Sequence, residues 1–183
     1  MNRPVATVPD KSAHARALCE RRAWGRLLEF SHQWHAEEPA DYKALYYTGL
    51  GYSGLNQFSL AETAYRRALA MNASDFRVWN NLAGILFDVM NRPAEGIACL
   101  EKALAVDPQN KLGWSNLANL AGRLGKHDQA LECAQRALAL DPHMVEAQLH
   151  RARAAQALGK TEILRSANET LATLPPERFR RTH

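Results

Sequence analysis

Apolar positions recur at helical spacing through most of the chain, and one arrangement of them returns about every 34 residues. Between Lys111 and Leu124, the residues Trp114, Leu117, Ala118 and Ala121 lie three or four apart and so share one helical face. Gly125 follows as a helix stop that tolerates a left-handed backbone. A second helical stretch carries Ala130, Ala134 and Ala137 as a stripe of small residues, with Asp128 placed to cap its start. Small side chains let two helices approach closely, while Trp114 and Leu117 fill the wider gaps. Pro142 then ends the unit, because proline disfavours helix in the residue before it. The same course runs from Trp79-Asn-Asn-Leu-Ala83 through Ala103 to Pro108. Pro108, Pro142 and Pro176 stand 34 residues apart. This period predicts an array of helix–turn–helix repeats.

Trp114, Leu117, Ala118, Gly125, Ala130, Ala137 and Pro142 stand in the order of the tetratricopeptide repeat, and the chain resembles that family. Ala121 takes the slot where the family has an aromatic residue. The resemblance divides the array, residues 11–178, into units 8–41, 42–75, 76–110, 111–144 and 145–178. Residues 1–10 are expected to be disordered, and 179–183 form a basic tail. Unit 76–110 is one residue longer than its neighbour. The extra residue is expected near Asn91-Arg92-Pro93, where it would lengthen the turn and leave the packing intact. The first unit has Leu27 and Trp34 in the alanine slots, and Arg21-Arg22-Ala23 at the turn without a glycine. The last has Leu164 and Leu171 in place of the alanines. Both read as degenerate terminal repeats. What the resemblance implies is an all-α fold, a right-handed α-α superhelix of about five hairpins.

Composition narrows the function. The chain of 183 residues carries a net charge of +4, too mild to point to nucleic acid. No apolar run approaches the roughly 18 residues of a membrane span, and the N-terminus lacks a signal-type apolar core, so the cytoplasm is the expected compartment. Cys19, Cys99 and Cys133 have no metal-type spacing and read as reduced thiols. His32 and His35 are one helical turn apart, but no third ligand is evident and zinc sites use three or four. No phosphate-binding glycine loop or nucleophile elbow is present, so no catalysis, cofactor or metal is expected.

In the family, the first helix of each pair lines a concave groove. Carried onto this chain, the groove residues are Lys43, Tyr46 and Tyr47 in the second unit, and Arg77, Asn80 and Asn81 in the third. Asn116, Asn119 and Arg123 follow in the fourth, and His150 and Arg153 in the fifth. Asn81 and Asn116 hold equivalent positions. An asparagine amide both donates and accepts, so such a row can hold the backbone of an extended peptide. Tyr46 and Tyr47 read as contact residues, and Tyr52 as core. Lys43, Arg77, Arg123 and Arg153 bias the face positive, diluted by Asp88 and Glu146, which suits an acidic segment or a free C-terminal carboxylate. The Lys, Asn and Arg set of the family's chaperone-tail binders is absent.

The expected function is a non-catalytic scaffold or adaptor holding a partner's peptide or helix. A bacterial secretion-type chaperone and a self-assembling scaffold are the alternatives, so a homo-oligomer stays open. Read as buried, Trp79 or Trp114 changed to Ala is expected to cost roughly 3–5 kcal/mol. A thermal melt of each variant checks this, and an unchanged melt would overturn the register.

Overall fold

The computed structural model describes residues 10–175. Ten α-helices make up those residues: α1 (Lys11–Glu20), α2 (Trp24–Glu37), α3 (Tyr42–Gly54), α4 (Phe58–Met71), α5 (Phe76–Gly84), α6 (Pro93–Val106), α7 (Lys111–Arg123), α8 (His127–Leu140), α9 (Val145–Ala157) and α10 (Thr161–Thr173). The expectations for residues 1–9, for Pro176 and for the basic tail lie outside the described residues. The fold is all-α and built from helix hairpins of the expected kind. It separates into two compact units, up to Ile85 and from Leu86 onward, a division that falls inside unit 76–110.

One local design repeats along both units. First helices other than α9, whose N-cap is Met144, begin on a side-chain cap: Asp41 accepts from Lys43 N, Asp75 from Arg77 N and Asn110 from Gly113 N, at 2.8–3.0 Å. Each satisfies a backbone donor that the helix itself cannot. Asp10 does the same for α1 by accepting from Ser12 N. Second helices have no side-chain cap at all. Asp128 is therefore not a cap; it sits in the first turn of α8, and its carboxylate pairs with Lys160 at 3.3 Å.

The second helices are started by backbone geometry instead. Just before each N-cap stands a residue with positive φ: Arg22, Asn56, Asn91, Gly125 and Gly159. The missing turn glycine of the first unit is thus replaced by Arg22 in the left-handed region, at φ 52°. The next residue returns its N–H to the preceding helix. Ala23 donates to Leu18, Gln57 to Tyr52, Lys126 to Ala121 and Lys160 to Ala155, each five residues back. This is the hydrogen-bond closure of a helix ending on a left-handed residue.

Unit 76–110 breaks the count in one place. Arg92 donates to Leu86, six residues back instead of five. The left-handed residue stands 15 positions after the N-cap in the helices capped by Asp41, Asn110 and Met144, but 16 after it between Asp75 and Asn91. The extra residue therefore lies in the first helix, not in the turn at Asn91-Arg92-Pro93. It is taken up by a π-helical turn, Ile85–Val89, the usual way a helix accommodates one inserted residue. Pro93 opens α6 at its first turn, where no donor is lost.

The cores follow the apolar stripes. In the first unit Leu27, Tyr65, Val78 and Leu82 are all within 1% of complete burial. In the second, Ala121, Ala130, Leu131 and Ala154 form one cluster, with Leu158 and Ile163 packed against it. Ala137, Met144 and Ala147 form another, packed by Trp114 and Leu138. Only Ala167 is buried on α10, as a terminal repeat requires.

The tryptophans differ from expectation. Trp79 and Trp114 are half-buried, and their indoles tie down the preceding turn. Trp79 Nε1 donates to the Ala73 carbonyl and Trp114 Nε1 to that of Pro108, both at 2.8 Å. Gln148 repeats the move in the last unit, donating to Pro142 O at 3.3 Å. Arg136 covers the exposed side of the Trp114 ring, 4.6 Å from its centre. Loss of either indole should accordingly cost about 2 kcal/mol, below the figure for full burial.

A sharper stability test comes from α3. A Cβ on Gly49 would run into the ring of Tyr65, which is 1% exposed and cannot move aside. Gly49→Ala should cost about 1–3 kcal/mol by overpacking. Gly25→Ala, on the open face of α2 with nothing within 4 Å, should instead be neutral or stabilise by a few tenths of a kcal/mol. Urea unfolding of both variants checks the contrast, and equal effects would show that α3 does not press on Tyr65.

Candidate functional site

The predicted groove residues assemble into two clusters, one within each unit. In the first, α3 and α5 bring together Tyr46, Tyr47, Arg77 and Asn81. Tyr46 and Tyr47 are only 8% and 4% exposed, so both rings pack and neither offers a contact surface. They meet edge to face at 5.1 Å, and Tyr47 stacks on Trp34 at 5.9 Å. The Tyr47 hydroxyl donates to the Ser12 carbonyl, tying α3 to α1. Burial pushes the Tyr46 hydroxyl up to about 12, so it stays neutral.

Arg77 lies over the Tyr46 ring, 5.1 Å from its centre, and grips Asp75 through two nitrogens at 3.0 and 2.6 Å. Burial alone would raise the Asp75 carboxyl, but Arg77 and the Tyr42 hydroxyl hold it below the usual carboxylate range. The positive charge expected from Arg77 is thus largely committed. Asn81, half-buried, reaches the Tyr46 hydroxyl at 3.5 Å. Lys43 and Asn80 are half-buried beside this cluster on the same two helices.

In the second unit, α7, α8 and α9 enclose a cavity of about 160 Å³. Asn119, Arg123, His150 and Arg153 line it, all of them expected groove residues. Its floor is made of Ala118, Gly122, Ala130 and Ala154, the small residues of the repeat pattern. Asn116 is exposed and is not among the lining residues; Asn119, one turn on, takes that place. Asn81 and Asn116 belong to different units, so each contributes to its own cluster.

No carboxylate lines this cavity. Arg123 pairs with Asp88 and lies over the Phe87 ring, 4.1 Å from its centre, which fixes its head group at the rim. Arg153 forms no ion pair among the described residues. His150 is pushed down to about 4, first by burial and then by the neighbouring charge of Arg153. At neutral pH it is therefore an uncharged imidazole with one donor and one acceptor. The cavity offers hydrogen bonds from Asn119 and His150 and charge from Arg153, the Arg123 charge being taken up by Asp88.

His127 also lines the cavity, and sequence reasoning did not pick it out. It is the first residue of α8, whereas the groove assignment drew only on first helices. Its place two residues after Gly125 was the available signal, since the turn delivers that residue back onto the first helix. Among the described residues no group of three or more His, Cys, Asp or Glu side chains is arranged to hold a metal ion. Among them, too, no helix is long and apolar enough to cross a membrane. Burial pushes the Cys133 thiol up to about 11, which keeps it unreactive at neutral pH.

Comparison with known proteins places this geometry. Models of the tetratricopeptide repeat match residues 48–111 and 112–144. A search of curated proteins found no match. Among solved structures, MamA from Desulfovibrio magneticus RS-1 is 17% identical over 94% of this chain and 94% of its own, with a TM-score of 0.73. PilF from Pseudomonas aeruginosa is 20% identical over 88% of this chain and 75% of its own, with a TM-score of 0.80. YrrB, described as a repeat protein of this kind with an unusual peptide-binding site, is 16% identical over 90% of this chain and 84% of its own, at 0.73. At these identities the likeness is one of fold.

His150 gives a pH test of the cavity. Its folded value near 4 lies below the ordinary 6.5, so the unfolded chain binds the proton first. Stability attributable to this group is full above pH 6.5, falls as pH drops toward 4, and changes no further below that. His150→Gln should remove this part of the acid sensitivity, narrowing the loss between pH 7 and 4 by roughly 2–3 kcal/mol. Urea unfolding at several pH values reads it, and parallel curves for the two proteins would place His150 in solvent.

Proposed function

The chain belongs to the tetratricopeptide repeat family, and we propose that it is a non-catalytic interaction module that holds an acidic, extended segment of a partner protein on its first helices. Arrays of this family present surfaces to other proteins, and YrrB, which shares the fold, is described by its peptide-binding site. The observation that carries the reading is the cavity between α7, α8 and α9, where amide, imidazole and guanidinium groups converge over a floor of small residues. Donors outnumber acceptors there, and no carboxylate competes for them.

The chemistry sets the orientation of the ligand. Arg153, without an ion pair among the described residues, attracts a carboxylate from a side chain or a free C-terminus. Asn119 can bond one peptide unit through both its C=O and its N–H. Neutral His150 accepts or donates a bond without adding charge. The first unit carries donors of the same kinds in Asn81 and Lys43, while the buried Tyr46 and Tyr47 hold their helix in place. The same balance of charge leaves Arg77 and Arg123 as anchors of their own units, since Asp75 and Asp88 already occupy them.

The test pairs peptide binding with variants that leave the fold alone. A panel of fluorescent peptides with acidic free C-termini, with the same C-termini amidated, and with neutral sequences is titrated into the full chain. Acidic peptides should bind best. Arg153→Ala with Asn119→Ala should weaken them at least tenfold, and Asn81→Ala with Asn116→Ala should weaken them less. Capture of partners from the native organism should fall in the same order. Undiminished binding and capture by folded Arg153→Ala/Asn119→Ala protein would sink the proposal.

A further inference from the structure

The cavity between α7, α8 and α9 has a counterpart in the first unit, at α3, α4 and α5. The caps Asp41 and Asn110, the caps Asp75 and Met144, and the turn residues Asn56 and Gly125 are each 69 residues apart. Equivalent positions can therefore be read off by counting. Arg153 stands where the first unit has Gly84, and Arg123 where it has Gly54. His127 stands in the place of Phe58, and His150 in the place of Asn81. The first unit thus builds the same three-helix packing with no charged or titratable group at these four positions. The second unit adds two guanidiniums and two imidazoles there, all lining one cavity.

The groups around His150 come from three helices. Arg123 on α7 and His127 on α8 line the cavity with it, and Arg153 follows one turn on along α9. Arg123 is held at the rim by Asp88, and Arg153 forms no ion pair among the described residues. Asp128, beside His127, pairs with Lys160 and does not line the cavity. Glu146 lies one turn back on α9 and does not line it either. Helix α10 also packs against α9 but contributes no lining residue. Burial first, and then the charge of Arg153, keep the His150 ring neutral and push it down to about 4.

An occupied cavity holds that ring differently from an empty one. A carboxylate brought to Arg153 cancels the charge that repels the imidazolium. It also stands beside the ring as a counter-ion, which offsets the cost of charging a half-buried group. Both changes favour the protonated form.

We infer that acidic ligands enter this cavity together with a proton from solvent, which His150 takes up to become a second cation for the ligand. This rests on the reading of the cavity as a carboxylate site given above. At neutral pH His150 is the uncharged bonding group already described. As pH falls, the occupied site gains its proton before the empty one. Affinity therefore rises with acidity in the window between the ordinary 6.5 and the empty value near 4. The ligand's own carboxylates act with the opposite sign, because their protonation weakens binding. The partner is thus an acidic segment that is gripped harder in mildly acidic surroundings.

An Asp-rich fluorescent peptide with a free C-terminus, and a neutral one beside it, are titrated into the full chain at pH ~7.5 and ~5.5 at constant ionic strength. If the carboxylate returned His150 to its ordinary value, affinity would be about tenfold higher at the lower pH, so a rise of about three- to tenfold is expected for the acidic peptide alone. Calorimetry in two buffers of different ionisation enthalpy should show net proton uptake on binding. The imidazole resonances of His150 should titrate at higher pH with the peptide than without it. His150→Asn, the residue of the first unit at this place, should hold the ratio of the two affinities near one. His127→Phe, chosen in the same way, should keep the rise. A flat or falling affinity, coincident imidazole titrations, or a rise that survives in His150→Asn overturns the inference. If acidic peptides still bind through Arg153 and Asn119 in that case, the carboxylate reading stands without it. Acidic peptides that bind at neither pH, or that ignore Arg153→Ala/Asn119→Ala, sink the carboxylate reading and this inference with it.

Discussion

Everything in this chain hangs on the left-handed residue that ends each first helix. It turns the chain sharply and lets the next N–H bond five residues back, so the second helix starts at a fixed angle without a capping side chain. The conformation costs a non-glycine residue roughly 1 kcal/mol, yet Arg22, Asn56 and Asn91 adopt it. They can do so because the stripes of small residues on both sides gain their burial only when the turn is made. The constraint is geometric and local, and it sets which side chains stack from one repeat to the next.

That constraint also explains where the extra residue of unit 76–110 went. A longer turn would have moved the left-handed residue relative to the second helix and spoiled the five-back bond. Inside the first helix, one more residue fits as a π turn and leaves both ends of the hairpin design in place. The six-back bond from Arg92 to Leu86 is the trace it leaves.

The hairpins, the small-residue stripes and the order of the units were legible because they follow from spacing alone. Trp114, Leu117, Ala130 and Ala137 fall into register by counting. Burial of individual large residues was not legible in the same way. Trp114 occupies a family slot that reads as core, but its ring reaches the Pro108 carbonyl and part of it stays at the surface. Tyr46 and Tyr47 occupy slots that read as groove, but the terminal repeat brings Trp34 and Ser12 onto Tyr47, while Tyr65 and Arg77 meet the Tyr46 ring. Slot assignment gives the direction of a side chain from its helix. It does not give what the neighbouring repeat, with bulky residues of its own, lays on top.

Charge was the least legible property, for a reason that repeat equivalence makes clear. Arg77 and Arg123 both appear as free cations along the sequence. One is claimed by Asp75, two residues away, and the other by Asp88, one repeat away. A residue common to equivalent positions, such as Arg67 and Arg136, carries no information until its surroundings are compared. Arg136 has Glu132 and Trp114 to hold it; Arg67 has Thr63 and Leu45 at those places and faces a histidine instead. The repeat thus serves as its own control. What both copies share belongs to packing, and what differs around the shared arginine, Glu132 and Trp114 against Thr63 and Leu45, decides how its charge is held.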